Sequence, residues 1–132
     1  MKTHFFFTDW VYSQDYLVII GGTNKNFVQT VKKETGLELE ENESAAGQFH
    51  GCDCPKGSLG IIWTRDLSDT LVHEATHAAS WCLQCRGILP DSQSGEEAWA
   101  YYLTFLVRNI KANAQCIKQE HKQHKKEGKK DV

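Results

Sequence analysis

The segment Leu71-Val72-His73-Glu74-Ala75-Thr76-His77-Ala78-Ala79 constrains this chain more than any other. Leu71, Val72, Ala75, Ala78 and Ala79 recur at helical spacing, so the segment reads as a helix with a buried stripe. On a helix, residues four apart lie one above the other. His73 and His77 therefore present two imidazoles on one face, at a separation that suits one tetrahedral cation. Glu74 is one residue round from His73, near the open side of such an ion, where its carboxylate can polarise a water that the metal has made more acidic.

The chain around this motif has 132 residues, 40% of them hydrophobic, enough for one real core and not for two. We expect a single domain over residues 1–117 and a Lys- and His-rich tail, frayed towards its end, over 118–132. Net charge is −2, but the tail holds six lysines against Glu120, Glu127 and Asp131, so the rest of the chain stands at −5. An acidic body argues against nucleic acid as a partner. No apolar run is long enough to span a membrane, and Phe5-Phe6-Phe7 is closed off by Asp9 too soon for a signal-peptide core. Five cysteines, Cys52, Cys54, Cys82, Cys85 and Cys116, make an odd set that suits reduced thiols or metal ligands better than disulfides. A cytoplasmic protein without a membrane partner is the expectation.

Residues 5–12 and 15–20 are rich in aromatic and β-branched side chains and predict one or two strands ending at Gly21-Gly22. Thr23 then reads as the N-cap of a helix over about 24–35, closed by Gly36. Gly21 to Lys25 follows a strand but matches neither established phosphate-loop pattern. Leu37 to Gly51 reads as a polar loop or a short strand and loop. Leu59-Gly60-Ile61-Ile62-Trp63-Thr64, approached through Pro55 and Gly57, is a strand. Asp66 or Ser68 can cap the motif helix, with Asp69 in its first turn; the helix runs to about Arg86 and is ended by Gly87 and Pro90. A second long helix starts near Ser92 or Ser94, and its stripe of Trp99, Tyr102, Leu103, Leu106 and Ile110 should pack on the first.

A catalytic zinc takes three protein ligands and keeps one position open. Glu97 stands 20 residues after His77, at the start of the next helix, where a short loop lets the two helices run antiparallel. His73-Glu74-x-x-His77 with Glu97 at this spacing resembles the gluzincins, the thermolysin-like zinc metallopeptidases. Glu97-x-x-Ala100-Tyr101 is also similar to the ExxA pattern of compact bacterial and phage-type members. The resemblance covers about residues 58–108. It implies an α+β, zincin-like minimal metallopeptidase domain, with a small sheet packed on an active-site helix and a second long helix. It also implies one catalytic Zn2+ held by His73, His77 and Glu97, with Glu74 as general base and proton shuttle. The strand 59–64 would be the edge that pairs with an extended substrate, and a protein or peptide would be that substrate.

Glu96 competes with Glu97, since neighbours lie about 100° apart on a helix and only one can face the ion. Tyr101, one turn after Glu97, is the candidate oxyanion stabiliser, with Arg108 and His50 behind it. Cys52, Cys54, Cys82 and Cys85 offer a second, structural Zn2+ site, against which stands the small apolar character of a helical cysteine beside Trp81 and Leu83. A cysteine as third ligand, as in peptide deformylase, lacks that family's other motifs. Unlike the large thermolysin-type enzymes, these residues are expected to form one domain without a second to wall a cleft, which keeps a dedicated protein substrate in view. The alternative is a non-catalytic regulatory or binding protein on the same scaffold, with a structural zinc.

Overall fold

The apolar runs Asp15–Ile20 and Leu59–Thr64 form the middle of a four-stranded sheet. The computed structural model of the protein describes residues 2–52, 58–89 and 93–130. In it β1 (Thr3–Thr8) pairs antiparallel with β2 (Asp15–Ile20), and β2 pairs parallel with β4 (Leu59–Thr64). The last strand, β3 (Gly47–Gly51), pairs antiparallel with β4, which gives the order β1-β2-β4-β3. Strand 59–64 is therefore interior, and the expectation that it forms the substrate-pairing edge is corrected: β3 is the edge on that side. The register explains it, because β4 is paired on one side with β2 along its whole length, Leu59 to Thr64, and on the other with β3 from Gly60 to Thr64.

Side chains alternate across a strand, so each central strand feeds two cores. Tyr16, Val18, Ile20 and Ile62 face one; Leu17, Ile19, Ile61 and Trp63 face the other. α1 (Asn24–Thr35) covers the second face with Phe27 and Val31. The first face lies under α2 (Asp69–Cys85) and α3 (Gln93–Lys130), through Leu71, Ala78, Ala79 and Cys82 on α2 and Tyr102, Leu106 and Ile110 on α3. Helices on both sides are what a parallel central pair requires, since neither of its faces can be left in water. The result is a small α+β domain.

Local chemistry fixes the ends of the elements. Thr23 caps α1 in a reciprocal box with Asn26, and Gly36 closes it in the left-handed region at φ 78°. Asp66 accepts hydrogen bonds from the backbone N–H and hydroxyl of Ser68, which shapes the turn into α2 and lowers the Asp66 pKa. At the far end, Ile88 N–H bonds to Leu83 O and Gly87 N–H to Gln84 O, a Schellman closure with Gly87 at φ 74°. The first strand is shorter than expected, because Asp9 turns the chain: its N–H bonds to Gln14 O and its carboxylate accepts from Tyr12 N–H. α3 continues to Lys130, so residues 118–130 are part of one helix. Pro55, Gly57, Pro90 and Ser92 lie outside the described residues. No described helix is long and apolar enough to cross a membrane.

Candidate metal centre

α2 turns one face into the core and leaves the next strip open, and the motif straddles the boundary. His73 and His77 are both exposed, and their Nε2 atoms lie 3.3 Å apart. Two imidazole nitrogens at about 2.05 Å from one ion, at the tetrahedral angle, would be roughly 3.3 Å apart. The pair thus has the spacing of two ligands on a single zinc. Glu74, about 100° round, points inward and is 6% exposed, with Oε1 3.9 Å from His73 Nε2. Burial raises the Glu74 pKa, and the two imidazoles pull it partly back.

Three glycines let α2 come down on the sheet. A Cβ on Gly47 would lie 2.7 Å from Thr70 Cγ2 and 2.9 Å from Glu74 Cγ. One on Gly51 would fall 2.4 Å from Trp81 Nε1, and one on Gly60 would lie 2.7 Å from the Tyr16 ring. Trp81 accordingly packs between Phe49 and Tyr16. Gly47 thus sets the approach of the edge strand to Glu74. Sequence reasoning missed it; the signal was a pair of glycines four apart, Gly47 and Gly51, on one face of a short strand.

The other candidates fall in different places. Glu97 and Glu96 are both exposed and line a surface recess with Ser94 and Ala100. Neither joins the histidines: among the described residues, no three His, Cys, Asp or Glu side chains form a group able to hold a metal ion. Tyr101 is 74% exposed and lies in a hollow with Trp10, Tyr12 and Phe105. Arg108 lines the same hollow. His50 is not in a loop but in β3. Its strand neighbour Phe49 packs on Trp81 of α2, so His50 takes the opposite, α1-side face and leaves the motif's surroundings.

Among the described residues, the cysteines of the four-cysteine site are not brought together. Cys82 is buried in the core under α2, whereas Cys52 packs against the α1-side core, with the sheet between them. Cys54 lies outside the described residues. Cys82 instead belongs to a second polar cluster, two turns along α2 from the histidines. There the Tyr102 hydroxyl donates to Asp9 Oδ2, and the Tyr16 and Tyr102 hydroxyls are 2.7 Å apart. Burial raises the pKa of both phenols and of the Cys82 thiol, keeping all three protonated. Arg86 locks the neighbouring turn by donating to Tyr12 O and Gln14 Oε1.

No family model, curated protein or solved structure matches the chain.

Proposed function

We propose that the protein is a cytoplasmic zinc-dependent peptidase of gluzincin-like, minimal zincin type, acting on a dedicated protein or peptide. The observation that carries this reading is the 3.3 Å His73–His77 nitrogen pair on an open helix face, with Glu74 buried beside it. His73 and His77 would hold zinc and Glu97, an exposed carboxylate on the following helix, would complete the set. When bound, zinc supplies Lewis acidity to a carbonyl oxygen and lowers the pKa of a water. Glu74 takes a proton from the attacking water on its carboxylate and returns it to the leaving amine nitrogen. Its buried position favours this, since a raised pKa brings the carboxyl nearer to neutrality and improves it as a shuttle. The edge of β3, held against Glu74 by Gly47, supports an extended substrate adding to the sheet beside the motif. Cys82, Cys85 and Cys116 as free thiols support a reducing compartment.

A second reading draws on one observation, that Glu97 stands apart from the histidine pair. In it the scaffold binds a partner without cutting it. Elemental analysis of the purified protein and its His77→Ala and Glu97→Ala variants decides the ligands: one zinc per chain, lost in both variants, is expected. Zinc kept by the Glu97 variant transfers the third position to Glu96 or another group. Glu74→Gln should retain zinc and lose at least about a hundredfold in peptide hydrolysis; hydrolysis unchanged in that variant removes Glu74 from the chemistry.

A further inference from the structure

The outer stripe of α3 carries Tyr101, Arg108, Lys111, Lys118 and Lys122, at intervals of three, four and seven residues that keep them on one face. Three hollows adjoin along it. The first, about 650 Å³, is walled by the exposed Trp10 and Tyr101 and by Phe105. The second, about 450 Å³, has Val72, Leu103 and Val107 in its lining and shares Thr104 and Arg108 with the first. The third, about 440 Å³, lies between Leu67 and Ala114 and shares Lys111 with the second. Together they make one groove from Tyr101 to Lys122, about 32 Å long at the rise of an α-helix.

The groove has a consistent cross-section. Its floor is apolar, from Phe105 through Leu103 and Val107 to Leu67, and its rim is cationic. Among the described residues, no carboxylate lines any of the three hollows and none of Arg108, Lys111, Lys118 and Lys122 forms an ion pair. Arg108 and Lys111 stand in a body of residues 1–117 with a net −5, and Lys118 and Lys122 continue the run into the lysine-rich tail. We propose that the groove docks an acidic amphipathic helix of a partner protein, apolar side chains down and carboxylates against the four cations. A contiguous apolar floor rewards water exclusion, and unpaired cations around it select carboxylates. A single-stranded nucleic acid fits less well, because flat rings for base stacking are confined to the Trp10–Tyr101 end and the rest of the floor is aliphatic. Val72 adjoins His73, so a docked partner would pass beside the motif; only that consequence rests on the peptidase reading, and docking itself does not.

Fluorescence anisotropy tests it, with a labelled 21-residue probe of Glu, Leu and Ala whose leucines follow helical spacing. A scrambled probe of the same composition and a 20-mer of oligothymidylate serve as competitors. The amphipathic probe should bind at least about tenfold more tightly than either. Lys111→Glu with Lys118→Glu should weaken it about tenfold or more, and Val107→Ser should weaken the amphipathic probe alone. Both lysines are exposed, so the melting curve should match the parent; Lys122→Glu alone gives the same direction should it not. Binding should survive a zinc chelator and His77→Ala, which separates this outcome from the fate of the zinc site. Absent saturable binding, equal affinity for the scrambled probe, tighter oligothymidylate binding, or indifference to the charge reversals would each overturn the proposal.

Discussion

Two polar clusters share α2, little more than two turns apart, and they are built in opposite ways. At His73, Glu74 and His77 the nitrogens face solvent and meet chiefly each other. At Cys82 the Asp9 carboxylate, two phenols and a thiol are sealed under the sheet and bonded among themselves. A group meant to engage a ligand has to keep coordination capacity unspent, whereas a buried polar group is tolerable only when its capacity is filled. Perturbed ionisation therefore does not by itself distinguish the open cluster from the closed one. The largest upward shifts belong to Tyr16 and Tyr102, in the closed cluster.

Substitutions can break that contrast. The largest effect is expected at Gly47→Val, which drives side-chain atoms into Thr70 and Glu74 across the 2.7 and 2.9 Å approaches. Peptide hydrolysis should fall about a hundredfold, read as kcat/KM. Gly51→Ala, aimed at Trp81 instead, should cost stability with a much smaller change in rate, as urea melts and the same assay would show. Equal rate losses in both would mean that Gly47 acts through general packing.

Tyr102→Phe comes next. It leaves the buried Asp9 carboxylate short of a donor, and should cost about 1–3 kcal/mol in urea unfolding while hydrolysis stays within about twofold. A loss of rate without loss of stability would tie the closed cluster to the chemistry. The same cluster predicts an alkaline limit. Tyr16, Tyr102 and Cys82 are held protonated in the fold, but in the unfolded chain they ionise near their ordinary values of 10.0 for tyrosine and 9.0 for cysteine. Unfolding then releases protons, so stability is complete below about pH 9 and declines above it. Urea midpoints measured from pH 8 to 11 should show this decline, and Tyr16→Phe should make it shallower. The smallest effect belongs to Cys85→Ser and Cys116→Ser. Both side chains are exposed, and melting should move by less than about 0.5 kcal/mol.

Elements with local signals were legible in the sequence. Thr23 and Gly36 bracket α1 as written, and the stripe from Leu71 to Ala79 puts the motif on a core-packed helix. What was not legible depends on long-range pairing. Nothing local says that β4 slots between β2 and β3, so the strand next to the motif in sequence reads as the edge, whereas β3 is the edge. β3 itself is short and bounded by Gly47 and Gly51, which weaken any strand signal and matter only once Thr70, Glu74 and Trp81 are packed above them. The Tyr102–Asp9 bond joins residues 93 apart and has no sequence signature. On the site, the pairing of His73 with His77 follows from helical geometry alone. The place of Glu97 depends on how two helices pack, which periodicity does not specify.

The insertion of β4 also orders events during synthesis. β2 cannot complete its pairing until residues 59–64 arrive, about forty residues later, so the central hydrogen-bond ladder closes late and over a long loop. Until then a nascent chain carries Tyr16 to Ile20 as a bare apolar edge, the kind of strand that recruits copies of itself. A ribosome pausing before Leu59 would expose that edge. The same stretch that completes the sheet is followed at once by the motif helix, so self-association of stalled chains and the appearance of the histidine pair are separated by only about a dozen residues of translation.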